Sequence, residues 1–73
     1  MITKYTRLDD ISIPRDWDAL SYLEAIEDLD ENATGLSEED IEFIEDCVEL
    51  ESFSDRQKKY IYKLHKLYGR EVL

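Results

Sequence analysis

The 73 residues include 19 acidic and nine basic side chains, giving a formal net charge of −10, with one cysteine and one histidine. A chain of this length holds one domain with a small core, and one cysteine with one histidine provides neither an intramolecular disulfide nor a zinc site built from nitrogen and sulfur ligands. We therefore expect a small soluble protein of a reducing compartment. The N-terminus is polar, and no apolar run in the sequence approaches the roughly 20 residues that a membrane span needs. These two features predict a cytoplasmic location with no membrane contact.

Charge is distributed unevenly along the chain. Residues 16–53 hold fifteen acids and no base, whereas residues 54–73 hold six bases against two acids. Residues 1–15 carry a net charge of +1. Charge polarity of this kind steers encounters with partners, so it suggests a binding protein.

The N-terminal segment, residues 1–15, alternates loosely between apolar and polar positions and is rich in β-favouring residues before Pro14. This pattern predicts an extended arm or one short strand. A lone strand has no pairing partner here, so we expect the arm to lie on the helices or on another protein. Pro14 presets the chain for a helix, and Asp16 is the expected N-cap.

Residues 16–73 are predicted to form a three-helix domain, with helices over about 16–32, 38–51 and 55–68. The periodicity of the apolar positions in each segment is typical of amphipathic helices. The predicted fold class is therefore all-α: a small three-helix domain with an extended N-terminal arm.

The helix junctions are the best-specified local features of the sequence. Gly35 suits the left-handed position after a helix, and Ser37 with Asp40 forms a capping pattern that places the start of the second helix at residue 38. Ser54 with Gln57 repeats this pattern before the third helix. The second and third helices are thus expected to begin at residues 38 and 55.

The first helix carries an apolar stripe that we expect to face the core. Its members are Ala19, Tyr22, Leu23, Ile26 and Leu29. Trp17 and Leu20 fall outside this stripe. Either the arm covers these two side chains, or they are exposed for a partner.

The second helix carries eight carboxylates and no base over residues 37–51. At about 100° per residue, five acids fall on one side. These are Glu38, Glu42, Glu45, Asp46 and Glu49. Apolar residues fill nearly all of the rest, with Phe43, Cys47 and Leu50 expected under the arm or a partner. So wide an apolar arc predicts that this is the central helix of the bundle.

Like charges one turn apart on this helix cost on the order of 0.2–0.5 kcal/mol per pair, so added salt should raise the melting temperature.

The third helix combines an apolar stripe with a basic stripe and is expected to end at Gly69. The apolar stripe is Tyr60, Ile61, Leu64, Leu67 and Tyr68, and the basic stripe is Arg56, Lys59, Lys63, Lys66 and Arg70. Interleaved tyrosines, including Tyr62, suit contact with phosphates or with an acidic protein surface. The alternative is that the lysines neutralise the acidic helices of the same domain.

A degenerate EF-hand pattern lies between the first two helices. Asp28, Asp30, Asn32 and Glu39 stand at loop positions 1, 3, 5 and 12. Ala33, however, replaces the glycine that the sharp turn of such a loop needs. An ordinary helix end is the expected interpretation, and we expect no metal or other cofactor.

No residue pattern indicates catalysis. Cys47 lies among acids, which disfavour a thiolate, so it is expected to be a structural thiol. His65 has no carboxylate at helical spacing to orient it and is predicted to be a surface histidine. General acid and base catalysis needs a cleft, for which a bundle of this size offers little room. We therefore predict that the chain is not an enzyme.

The acidic faces of the first and second helices suggest another function. Carboxylates at i, i+3 and i+4 spacing lie about 5–6 Å apart, close to the spacing of phosphates along a nucleic-acid strand. A small acidic helical protein can therefore occupy a basic nucleic-acid channel. The alternative is a solvated face that keeps the protein soluble.

The second half of the chain resembles a helix pair found in phage and bacterial proteins that work beside nucleic-acid machinery. The resemblance covers residues 36–45, 53–57 and 64–69, with a Leu-Ser opening, a Phe-Ile pair and a Phe-Ser-x-x-Gln helix start. Together with the size and charge polarity, it makes the chain similar to small phage-encoded regulators that bind RNA polymerase. The resemblance implies host bacterial cytoplasm and inhibition of initiation or antitermination, and it transfers no contact residues.

The leading hypothesis is a monomeric, non-enzymatic regulator that binds a host enzyme, most simply RNA polymerase. We expect no autonomous binding of duplex DNA, because DNA repels a chain with a net charge of −10. The expected contact residues are Lys4, Tyr5, Arg7, Trp17, Lys59, Lys63, Lys66 and Arg70. The first alternative is a nucleic-acid mimic that blocks a DNA-binding nuclease or defence complex through the acidic face of the second helix. The second is an oligomerisation module that buries Phe43, Cys47 and Leu50.

Overall fold

The computed structural model describes residues 2–32 and 34–69. It contains a 3-10 turn at Leu8–Asp10 and three helices: α1 (Ala19–Asn32), α2 (Glu38–Val48) and α3 (Asp55–Tyr68). No strand forms in these two ranges. The predicted all-α, three-helix architecture is confirmed.

The first helix starts later than the sequence suggested, because Asp18 rather than Asp16 caps it. The Asp18 Oδ1 accepts a hydrogen bond from the Ser21 N–H at 3.0 Å, and the Ser21 Oγ accepts one from the Asp18 N–H at 3.3 Å. This reciprocal arrangement satisfies two backbone donors at the helix start. The bond from the Ser21 backbone is the main reason why the pKa of the Asp18 carboxyl is lowered.

The start of α2 follows the prediction, whereas its end does not. Gly35 has a φ of 79°, and the Ser37 Oγ accepts from the Asp40 N–H at 3.2 Å. The helix then ends at Val48 rather than near residue 51, because the Leu50 N–H donates to the Cys47 carbonyl at 3.0 Å and closes a turn.

The ends of α3 also follow the prediction. The Ser54 Oγ accepts from the Gln57 N–H at 3.2 Å, and the Gln57 Oε1 accepts from the Ser54 N–H at 2.8 Å, which completes a capping box. Gly69 caps the other end, where its N–H donates to the His65 carbonyl. A Cβ at Gly69 would lie 2.4 Å from the His65 carbonyl oxygen, so a larger residue would have to shift the backbone.

The central helix of the bundle is α1, not α2 as predicted. It packs closely against both other helices, whereas the α2 and α3 backbones do not approach each other closely within the described ranges. The buried core cluster consists of Tyr22, Ala25, Ile26, Leu29, Ile44, Cys47, Ile61 and Leu64. Half of these residues lie on α1, and two lie on α2. Ile41 and Val48 of α2 do not belong to the cluster, because each is 43% exposed.

The N-terminal arm lies on the helices of its own chain. Ile11 is buried, Ile13 packs against the core, and the 3-10 turn contacts α3. A turn between Thr3 and Thr6 precedes this region, where the Thr6 N–H donates to the Thr3 carbonyl at 3.0 Å. The arm is therefore folded onto the domain without forming a strand.

Among the residues that the structure describes, no helix is long and apolar enough to span a membrane.

Candidate interaction surface

Trp17 packs inside the domain, although the sequence placed it among the partner contacts. Its ring centroid lies 4.9 Å from that of Tyr62 and 5.3 Å from that of Tyr22, in edge-to-face arrangements. Tyr62, expected to be interleaved with the basic stripe, is buried. Leu20, in contrast, is 64% exposed. Helical periodicity could not predict that Trp17 is packed while Leu20 is exposed, because Trp17 precedes α1 and its ring contacts Tyr62 of α3.

His65 is half-buried and faces a carboxylate, contrary to the prediction of a surface histidine. Its Nε2 lies 3.5 Å from the Asp28 Oδ2, and its Nδ1 is buried without a hydrogen-bond partner in the described residues. The prediction considered only helical spacing within α3, whereas Asp28 lies on α1.

The EF-hand-like segment makes internal contacts. The Asn32 Nδ2 donates to the Asp28 Oδ1 at 2.9 Å, while the other carboxylate oxygen of Asp28 faces His65. Within residues 2–32 and 34–69, no group of three or more acidic, histidine or cysteine side chains is arranged to hold a metal ion. Asp28 thus joins α1 to α3.

Cys47 is confirmed as a structural thiol. It is buried in the core cluster and forms no disulfide. Burial and, to a lesser degree, the neighbouring Asp46 carboxylate raise the pKa of the Cys47 thiol. A thiol of this kind is a poor nucleophile at neutral pH.

Among the described residues, no lysine or arginine of α3 forms an ion pair within 4.0 Å with a carboxylate. The His65–Asp28 contact is the one ion pair within 4.0 Å among the described residues. Lys66 instead lies over an aromatic ring, with its Nζ 5.5 Å from the Tyr62 ring centroid. The alternative that the lysines neutralise the acidic helices of the same domain does not require direct ion pairs and stays a prediction. Arg70 lies outside the described residues.

The arm and α3 bring several of the predicted contact residues together. A cavity of about 510 Å³ is lined by Arg7, Leu8, Asp9, Asp55, Arg56 and Lys59. Lys4 and Lys63 meet at a second, smaller cavity of about 80 Å³, together with Asp40 and Tyr60. Tyr5 is 82% exposed beside Lys4. Lys66 lines neither cavity.

An apolar cleft between α2 and α3 lies next to this basic region. The Phe43 and Tyr60 rings stack with centroids 4.3 Å apart, and the Tyr60 hydroxyl donates to the Asp40 carboxylate. Burial, reinforced by that hydrogen bond, raises the pKa of Tyr60 to about 12. A cavity of about 490 Å³ is lined by Leu8, Phe43, Ser54, Arg56, Gln57 and Tyr60. This cleft could not be predicted from the sequence, because it depends on how the helices cross.

The acidic face of α2 is exposed, as predicted. Its members Glu38, Glu42, Glu45, Asp46 and Glu49 are all exposed. None of them lies within 4.0 Å of a basic group of the described chain. This face and the basic region beside the arm are therefore two separate surfaces of opposite charge.

No protein-family model matches the chain, and comparison with curated proteins and with solved structures finds no match. The two charged surfaces and the sequence resemblance are therefore the features that bear on function.

Proposed function

We propose that the protein is a non-enzymatic regulator that docks on a larger host enzyme through the surface formed by the arm and α3. The observation that supports this function best is the grouping of Arg7, Arg56 and Lys59 around one cavity without an ion pair to any described carboxylate. Cations held close together gain from an acidic partner surface that relieves their mutual repulsion. The partner is accordingly expected to present carboxylates.

A protein partner fits this surface better than duplex DNA. Asp9 and Asp55 line the same cavity as the three cations, and the chain as a whole has a net charge of −10. The two acids weaken the local attraction for a polyanion, and the overall field of the chain repels it.

Bacterial RNA polymerase is the first partner to test. The support for this choice is the resemblance of residues 36–45, 53–57 and 64–69 to the helix pair of small phage regulators. The expected effect on transcription is inhibition of initiation or suppression of termination, in the host bacterial cytoplasm.

The test is capture of purified bacterial RNA polymerase on the immobilised protein, followed by transcription in vitro. We expect the double variant Lys59→Glu/Lys63→Glu to lose polymerase binding, because both substitutions place a carboxylate on the proposed surface. Glu42→Lys/Glu45→Lys, which reverses as many charges on α2, should retain it. Failure of the unmodified protein to capture polymerase would refute this partner.

A nucleic-acid mimic is the second candidate, and the exposed acidic face of α2 supports it. Its five carboxylates have no basic neighbour within 4.0 Å in the described structure and face solvent on one helix. If Glu42→Lys/Glu45→Lys abolishes inhibition of a DNA-binding nuclease while Lys59→Glu/Lys63→Glu does not, this function replaces the first.

The oligomerisation alternative has less support from the monomer. Cys47 is buried, so this side chain needs no second copy to cover it, and Phe43 is half-buried and stacks on Tyr60 of its own chain. Leu50 remains partly exposed. We expect a hydrodynamic mass that does not change with protein concentration.

A further inference from the structure

The two larger cavities beside the arm adjoin each other. The cavity of about 510 Å³ and that of about 490 Å³ share Leu8 and Arg56 as lining residues. We call them together the composite groove, which runs from the 3-10 turn across the start of α3 to α2. Each part lies within the range of about 300–1,000 Å³ that is usual for ligand sites.

The groove has an apolar floor because α2 and α3 diverge. Their backbones do not approach closely in the described ranges, and the stacked rings of Phe43 and Tyr60 span the gap. Both rings and Leu8 are half-buried, so part of each apolar surface still faces the groove. Covering such a surface with another apolar group is favourable by roughly 25 cal/mol per Å².

The other part of the groove is a basic wall. Arg7, Arg56 and Lys59 line it and have no carboxylate within 4.0 Å among the described residues, although Asp9 and Asp55 lie in the same wall. Arginine presents a planar fork of donors that matches a carboxylate. This wall is a local excess of positive charge in a protein of net charge −10.

The start of α3 does not itself provide an anion site. The Ser54 and Gln57 side chains already form the capping box there. The capping box satisfies the Ser54 and Gln57 N–H groups, so the basic side chains are the groups that would recognise an anion in the groove.

We propose that the composite groove binds a short acidic segment of a partner protein, with an apolar side chain on Leu8, Phe43 and Tyr60 and an adjacent carboxylate at Arg56. This inference rests on the proposed docking function and names the chemistry of the partner. A single carboxylate can approach the arginines while avoiding Asp9 and Asp55, whereas a nucleic-acid strand would bring several phosphates near these acids. A second copy of the chain fits less well, because each copy has a net charge of −10.

The test uses the full chain and a fluorescein-labelled synthetic peptide in which glutamates flank a central phenylalanine. Matched peptides replace the glutamates by glutamine or the phenylalanine by alanine. We expect the acidic aromatic peptide to bind most tightly and both replacements to weaken binding. In amide NMR spectra, the shifts should fall on residues 7–9 and 54–60, and not on the solvent face of α1.

Variants of the protein locate the site. Arg56→Gln should weaken peptide binding about tenfold, equivalent to about 1.4 kcal/mol. The matched control Arg15→Gln removes the same charge at an exposed position outside the groove and should leave peptide binding unchanged. Equal losses in the two variants, or equal binding of the glutamine peptide, would overturn the proposal. So would tighter binding of a single-stranded oligonucleotide at the same residues, or self-association that shifts these signals without peptide.

The two proposals fail separately. Polymerase capture without any peptide binding would overturn the groove and leave the docking function standing. Peptide binding at the groove without polymerase capture would overturn polymerase as the partner and support the groove.

Discussion

The two sides of the helix bundle are built differently. Around α1, helices pack closely and bury the core cluster, whereas α2 and α3 meet through the long side chains of Phe43, Tyr60 and Asp40, with Leu8 of the arm beside them. On the first side, each residue of the core cluster is 5% exposed or less. The second leaves apolar rings and basic groups accessible. Stability and binding are thus assigned to different sides of one small domain, and each assignment can be tested by substitution.

The largest effect is expected on the closed side, from Ile26→Ala. Ile26 is 1% exposed at the centre of α1, and truncating a buried isoleucine costs about 2–5 kcal/mol. A domain of this size has a total stability of only about 4–11 kcal/mol at 0.05–0.15 kcal/mol per residue. Urea unfolding followed by circular dichroism should therefore show a large loss. Leu20→Ala on the same helix is the control and should change stability by about 0.5 kcal/mol or less; similar losses in both variants would contradict the α1-centred core.

Trp17→Ala tests whether this side chain belongs to the closed side. Its packing against Tyr22 and Tyr62 predicts a loss of about 2–3 kcal/mol, below that of a fully buried tryptophan because the indole is half-buried. Tyr5→Ala, an aromatic truncation at an 82% exposed position, should have little effect on unfolding. If Trp17→Ala instead weakened partner binding at unchanged stability, the contact role predicted from the sequence would be restored.

Local signals in the sequence predicted the architecture well. Ser37, Ser54, Gly35 and Gly69 stand at helix ends as expected, because capping depends on residues within one turn of each other. The start of α1 was missed because two aspartates compete as caps, and only Asp18 has a serine three residues later that completes the reciprocal bonds.

Contacts between different helices could not be predicted from such local signals. Periodicity gave α2 a wide apolar arc, yet it could not show that α1 would occupy the centre. The His65–Asp28 pair and the Phe43–Tyr60 stack each join two helices, so they depend on crossing geometry. For the candidate site, the basic stripe identified Lys59 and Lys63, whereas the apolar floor of the groove became apparent only when α2 and α3 were placed.

On the open side, Tyr60→Phe removes the hydrogen bond to Asp40 and keeps the ring. A hydrogen bond to a charged acceptor contributes at least about 1.5 kcal/mol, which should appear as a loss of stability at neutral pH. Burial is the main cause, and the bond to Asp40 the second, of the rise in the pKa of Tyr60 to about 12. The folded state therefore holds this proton more tightly than the unfolded chain.

The pH dependence of unfolding provides the sharper measurement of the same variant. The contribution of Tyr60 is fully present below the ordinary tyrosine pKa of about 10 and is lost as pH rises through about 12. Urea unfolding between pH 8 and pH 11 should show a smaller alkaline loss for Tyr60→Phe than for the unmodified protein. Parallel curves would mean that the Tyr60 hydroxyl is neither buried nor bonded to Asp40 in solution.

The smallest effect is expected on the acidic face of α2, from Glu42→Gln. Glu42 lies one turn from Glu38, Glu45 and Asp46, and each like-charge pair costs about 0.2–0.5 kcal/mol. Neutralising Glu42 removes all three pairs and should stabilise the domain by roughly 0.6–1.5 kcal/mol at low salt. Glu51→Gln, which removes the same charge beyond the end of α2, is the control. The melting temperature of the unmodified protein should rise with added salt, and that of Glu42→Gln should rise less. A flat or falling response would contradict crowding on α2. The same salt should weaken peptide binding at Arg56 by screening. In one salt titration, the melting temperature therefore follows the repulsion on α2, and the peptide affinity follows the attraction in the groove.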